Sequence, residues 1–305
     1  MLVDFLASRP SASSTMKQLR TYLLPCVTLV GSFGVLHHAP ALTRHSEAEK
    51  VLIQRTFRLG EKTTYSFTEK SSTTMDMASL GGPDMTISRD KSSVCTLTIS
   101  KVDPDGKSAE VELKITEQKI TIDPAPPVPP SFPSDLSATA KVTSLGEWSQ
   151  LGFGSSPSNN QRMIRTYFRD LSGSLRFPVE AVAPGATWKF ERDEKSTASP
   201  YAKESLDVKF VGEEKFQKWD ALKLEINGTI QSVFKADGTA GVDQSFEQTS
   251  SRSISYTVLV EKATGRLLKL VCKDVPYKEE TKQGPMTIPS TGKYSLEISI
   301  LEPKD

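Results

Sequence analysis

The sequence predicts a mainly β protein of the α+β class: a curved antiparallel sheet or half-barrel, or else two related β layers, with one central amphipathic helix. Three observations predict it. Apolar and polar residues alternate along most of the chain, the connections between these runs carry glycine-containing turn sequences, and one stretch alone has the 3.6-residue apolar period of a convincing helix.

Period-two alternation, rich in β-branched and aromatic residues, marks strands at Thr63–Thr68, Val94–Val102, Ala109–Ile115, Thr187–Phe190, Leu206–Val211, Ala221–Phe234, Ile254–Val260, Leu267–Cys272 and Tyr294–Leu301. Alternate side chains of a pleated strand leave on opposite faces, so such a pattern sends one face to a core and the other to water. Asp103-Pro104-Asp105-Gly106, Asp237-Gly238 and Lys262-Ala263-Thr264-Gly265-Arg266 place glycine where a hairpin wants positive φ. Hairpins imply a largely antiparallel sheet. The helix is expected over Asn159–Leu171, where Met163, Ile164, Tyr167, Phe168 and Leu171 share one face behind the cap sequence Ser158-Asn159-Asn160. It is expected to pack on the concave side of the sheet. The prolines from Pro124 to Pro130 cannot donate ladder hydrogen bonds, so this stretch reads as a stiff polyproline linker.

Ahead of the β region the chain has the order of a secretory signal. Met16-Lys17-Gln18-Leu19-Arg20 is basic, and Ala39-Pro40-Ala41 is an Ala-x-Ala cleavage sequence. Between them, Tyr22 to Leu36 is an apolar run of about 15 residues, short of the roughly 20 that span a bilayer as a helix. Residues 1–15 therefore read as a mis-assigned N-terminal extension, 16–41 as a signal peptide cleaved near Ala41, and 42–305 as a single β-rich domain, periplasmic or secreted. Cys26 lacks the small preceding residue of a lipid-accepting cysteine, which disfavours anchoring there. Within the domain, Leu59-Gly60-Glu61 and Pro184-Gly185-Ala186 each lead into an aromatic-bearing strand, a weak internal repeat over about 52–150 and 174–303.

The sequences Leu59-Gly60-Glu61 with Tyr65-Ser66-Phe67, Val102-Asp103-Pro104-Asp105-Gly106, and Phe177-Pro178-Val179 with Val182 to Trp188 resemble those of a family of exported bacterial proteins of unknown function. The hairpin Glu261 to Leu267 is similar to those of exported half-barrels in the lipoprotein-carrier superfamily. The resemblance spans residues 52 to 301 and implies a curved antiparallel sheet wrapped around a helix beside an apolar cavity. It implies no catalytic residue.

The chemistry is narrowed mostly by exclusion. Lys and Arg number 38 against 37 Asp and Glu, and no block of like charge offers a nucleic-acid footprint. His37, His38 and His45 all lie in or just behind the signal-like segment, so histidine-dependent nucleophilic catalysis and zinc chemistry have no ligands in the domain body. No catalytic residue, metal or cofactor is expected. Asp103 to Gly106 reads as a hairpin rather than a calcium loop, and Ser88 to Lys91 and Ser232 to Lys235 lie in turn- or strand-like sequence where residues three apart face opposite ways. Cys95 and Cys272 could form a disulfide or stay as two buried thiols, and both alternatives stand. The leading functional expectation is non-enzymatic binding of an apolar small molecule, a lipid or an envelope protein between sheet and helix. Met163, Ile164, Tyr167, Phe168 and Trp188 are its candidate cavity residues. The alternative is a structural or surface-interaction domain in which the same side chains fill the core. An acid-pair hydrolase is a third reading.

Overall fold

Among the described residues the alternation resolves into eleven strands. Strands β1 (Lys62–Met75), β2 (Met85–Val102), β3 (Ser108–Asp123), β4 (Leu136–Thr143) and β5 (Trp148–Gly152) run out to one edge of a sheet. Strands β6 (Thr187–Asp193), β7 (Tyr201–Phe216), β8 (Trp219–Ala236), β9 (Phe246–Glu261), β10 (Leu267–Gln283) and β11 (Met286–Leu301) return from the other edge. The computed structural model describes residues 49–302 apart from 79–80, 125–135, 155–157, 174, 194–200 and 237–245. The signal-like segment, Cys26, Asp237-Gly238 and most of the proline-rich linker lie outside the described residues.

All eleven strands belong to one sheet in the order β5-β4-β3-β2-β1-β11-β10-β9-β8-β7-β6. This corrects the two-layer alternative. The first strand pairs with the last from Thr64↔Leu301 to Met75↔Ser290, so hydrogen bonding runs unbroken through the middle of the molecule. Every pairing is antiparallel, and the Asp103 and Gly265 turns close hairpins as expected, with Gly106 N–H donating to the Asp103 carbonyl at 2.8 Å and Gly265 N–H to the Glu261 carbonyl at 2.8 Å.

The sheet is strongly curled. Laid flat, its ten interstrand steps (eleven strands less one) at ~4.8 Å each would hold β5 and β6 roughly 48 Å apart. Instead the Arg192 guanidinium of β6 lies 4.8 Å from the ring centre of Trp148 on β5. Side chains and one loop bridge the remaining seam. Arg176 donates to the Gly146 carbonyl and stacks on Phe190 of β6 at 4.7 Å, while Trp188 Nε1 donates to the Arg176 carbonyl at 2.8 Å. Gly146 has φ +83, and a Cβ there would stand 2.0 Å from the Leu175 carbonyl oxygen, so the loop can press against the β4–β5 turn only because this residue is glycine.

Each long strand has two unlike halves. In the lower half the inward residues, among them Tyr65, Leu113, Phe210, Leu224, Val258 and Ile298, are buried. The segment Val51 to Phe57 closes the base, hydrogen-bonding to Val182, Ser144 and Thr264. Above Thr68 in β1, below Lys91 in β2 and beyond Ile115 in β3, most inward residues become only half-buried while most outward ones are exposed. The same change occurs in β8 to β11. These upper extensions form a trough above a filled lower barrel.

Candidate functional site

The lower barrel is filled from within by α1 (Ser158–Phe168) and a π-helical turn, Arg169–Gly173. Ile164, Tyr167, Phe168 and Leu171 recur at helical spacing and are all fully buried, as that period dictates. Tyr167 meets Phe67 of β1 edge-on at 4.8 Å between ring centres. Its hydroxyl shares a 2.6 Å hydrogen bond with Ser93 of β2, and Gln118 Nε2 of β3 donates to it at 3.4 Å. The void lined by Phe67, Lys91, Tyr167 and Asp170 measures about 10 Å³, room for roughly one water. Ile164, Tyr167 and Phe168 are thus brought together as packing groups. Trp188 stands apart at the seam, half-buried, and the Met163 side chain lies outside the described residues.

A belt of buried charge caps this filling. The π-helical turn widens the helix by one residue, and Asp170 is buried alongside Leu171. Arg169 Nε donates to Asp170 Oδ1 at 3.2 Å. Lys91 lies 3.9 Å from Glu69 and 4.3 Å from the Tyr167 ring centre, and Arg192 holds Glu204 at 3.0 Å. Burial pushes the Asp170 carboxyl above the usual carboxylate range despite the opposing pull of Arg169 and Arg252, and nearby Glu69 pushes it the same way. Burial likewise raises Tyr256 and Tyr294, and the Asp170 charge adds to both. Arg252 of β9 stacks on Tyr294 at 5.0 Å and faces Tyr277 at 5.9 Å.

Above the belt the trough is amphipathic. The register sets Ile120 and Ile122 of β3 beside Lys91 and Arg89 of β2, Ile87 beside Thr73, and Met85 beside Met75. Across β11, Gly292 lets Tyr277 of β10 lie flat over the backbone to hydrogen-bond Thr73; a Cβ at Gly292 would stand 2.6 Å from the Tyr277 ring. The β8–β10 side is polar: Ser232 and Ser250 hydrogen-bond at 2.7 Å, and Gln248 Nε2 donates to Glu279 at 2.5 Å. Arg89, Arg252, Tyr277 and Tyr294 were not legible in the sequence as a group on one inward face. The single available signal was an inward charge continuing the strand parity, legible only once the inward face is known.

Other chemistry resolves into architecture. Asp103 takes a hydrogen bond from Ser108 and an ion pair from Lys141 at 2.6 Å, and Asp105 accepts from Lys107 N–H at 2.9 Å, so both carboxylates serve the hairpin. These contacts hold the Asp103 carboxyl below its ordinary range, the Lys141 hydrogen bond most of all. Ser88 is exposed on the outer face of β2 whereas Lys91 is buried on the inner one. Cys95 and Cys272 are both free and buried, on β2 and β10 with β1 and β11 between them. Burial pushes the Cys272 thiol up to about 12. Among the described residues, no group of three His, Cys, Asp or Glu could hold a metal ion, and no helix is long and apolar enough to cross a membrane.

The fold and site define an open antiparallel sheet curled around one helix, with an amphipathic trough above a closed core. No family model matches the chain, and no curated protein matches it. Among solved structures, a match is the crystal structure of the beta domain of the Bordetella autotransporter BrkA. It is 9% identical and covers 78% of this chain and 98% of that one at a TM-score of 0.20, a likeness too slight to carry an argument.

Proposed function

We propose that this chain is an exported, non-enzymatic binding protein whose ligand, an apolar or amphipathic molecule, seats in the upper trough. The observation that supports it is the exposure contrast along single strands. Inward residues such as Ile87, Ile120, Ile122 and Ile288 lie on the concave side yet remain half-uncovered, whereas those level with the helix, such as Phe67, Cys95, Ile115 and Leu296, are sealed. Partly covered apolar side chains inside a concavity gain from an apolar occupant, at about 25 cal/mol per Å² removed from water. Export rests on the basic, apolar and Ala-x-Ala order of residues 16–41. The space between helix and sheet gives this reading little support, because a void of about 10 Å³ holds no lipid tail.

Native mass spectrometry on the full chain exported from a bacterial host tests the reading. A co-purifying or added amphiphile should be retained, and Ile120→Glu should release it. An apo mass that persists with added dodecanoate would contradict it. An envelope-protein partner is the second reading, favoured by one feature: β4 stops at Leu136↔Ile115, so Thr116 to Asp123 of β3 has no neighbouring strand on its outer side among the described residues. An open edge of this kind accepts an extended segment of another protein. Amide protection confined to Thr116–Asp123 on partner binding would favour that reading over the trough.

A further inference from the structure

We infer that the trough selects an acidic amphiphile, its carboxylate or phosphate head bound by Arg252, Arg89 and the Tyr294 hydroxyl and its tail laid along Ile87, Ile120 and Ile122. This rests on the proposed trough and names its ligand class. The argument begins with charge accounting on the concave face. Lys91 faces Glu69, Arg169 is bonded to Asp170, and Arg192 to Glu204. Glu279, one row nearer the rim than Tyr277, accepts from Gln248. On the trough strands two inward guanidiniums have no ion pair among the described residues: Arg252, which lies over the faces of Tyr277 and Tyr294 and acts on Asp170 only through its field, and Arg89, whose half-buried side chain leaves Nε with no hydrogen-bond partner.

The third group stands between them. Tyr294 is 4% exposed, and its hydroxyl is buried with no partner. A buried hydroxyl left unpaired costs about 1–3 kcal/mol, which a bound acceptor recovers. Ser71 pairs with both Arg89 and Tyr294, so the three share one row of the sheet, with Arg89 two strands (~10 Å) from Tyr294. Arg252 reaches the same tyrosine from the opposite side. Two fork-shaped cations and a neutral donor on one half-covered stretch of the inward face suit an oxyanion, and arginine binds carboxylate or phosphate through paired N–H groups. Ile122 is the register partner of Arg89 itself, with Ile120 and Ile87 one inward position to either side, so apolar surface begins where the head group would end.

The test measures binding of dodecanoate, dodecyl phosphate, dodecanol and inorganic phosphate to the full chain by native mass spectrometry. Wild type should hold dodecanoate or dodecyl phosphate at least about tenfold tighter than dodecanol, one charge-assisted contact being worth about that much. Arg252→Met and Arg89→Met should each remove about tenfold of the acid's affinity and leave dodecanol unchanged. Arg252→Lys should restore part of the loss, since charge returns without the fork. Tyr294→Phe, which deletes one oxygen and keeps the packing, gives an independent reading in case the arginine variants fold poorly; it should weaken the acids and not the alcohol. Equal binding of acid and alcohol, or acid binding indifferent to all of these variants, overturns the head-group assignment while leaving the trough. Retention of inorganic phosphate as tightly as dodecyl phosphate would make this an anion site and overturn the amphiphile. If no tailed compound binds, the trough itself falls.

Discussion

The lower and upper halves of the same strands differ in a way that separates stability from function. Below the charged belt, β1 presents Tyr65 and Phe67 to a closed core; a few residues on, the same inward parity presents Glu69, Ser71, Thr73 and Met75 to a half-open trough. Backbone and hydrogen-bonded register are continuous across the boundary. Only the occupant of the concavity changes, from a helix of this chain to space open to something else. The difference teaches that the helix is the lower barrel's internal ligand, and that among the described residues no helix fills the upper half.

Substitutions should split along this boundary. Phe168→Ala, in the filled half, is expected to cost about 3–5 kcal/mol through lost burial and a residual cavity. At about 2–4 °C per kcal/mol for a domain of this size, thermal unfolding should show a drop of roughly 10 °C. Ile122→Ala, in the trough, should cost less than about 1 kcal/mol by the same measurement, since its side chain is already half in water. Equal losses would erase the comparison. At the seam, Arg192→Met leaves Glu204 buried without that cation and should cost about 3 kcal/mol. Amide exchange should then accelerate in β5 and β6 before it does in β1 or β11.

The belt gives a subtler, pH-dependent contrast. Asp170 titrates above an unfolded carboxyl, so the folded state holds its proton more tightly. The stabilisation this supplies is complete below the unfolded value of about 3.9 and is lost as pH rises through the folded value. Unfolding temperatures of wild type and Asp170→Asn measured from pH 4 to pH 7 should therefore show the wild-type advantage shrinking with pH. A constant or growing advantage would mean that the Arg169 pair outweighs burial. The smallest effect concerns the cysteines: with both thiols buried and raised, a thiol reagent at pH 8 should label neither Cys95 nor Cys272 until denaturant is added.

How much of this was legible in the sequence follows the same boundary. The strands expected at Thr63–Thr68 and Tyr294–Leu301 are the buried parts of longer ones, Lys62–Met75 and Met286–Leu301. Alternation is strong where one face meets a core, and it fades in Ser71-Ser72-Thr73-Thr74, where both faces are wet and the ladder alone holds the strand. β4 and β5 escaped notice because Leu136-Ser137-Ala138-Thr139-Ala140 packs with small residues and β5 is only five residues long. The helix was legible from Ile164, Tyr167, Phe168 and Leu171, but its continuation as a π-helical turn was not, and that turn buries Asp170. Ile164, Tyr167 and Phe168 pack as core residues for one reason: helical periodicity reports that a face is covered and cannot report whether protein or ligand covers it.

The most direct test of the central claim is hydrogen–deuterium exchange on the full chain with and without saturating dodecanoate. Protection should rise in Met85–Lys91, Glu117–Asp123 and Met286–Tyr294 and stay unchanged in Ile164–Leu171. Protection or deprotection centred on Ile164–Leu171, with the strand extensions unaffected, would place the ligand between helix and sheet and contradict the division of the barrel into a closed half and an open one.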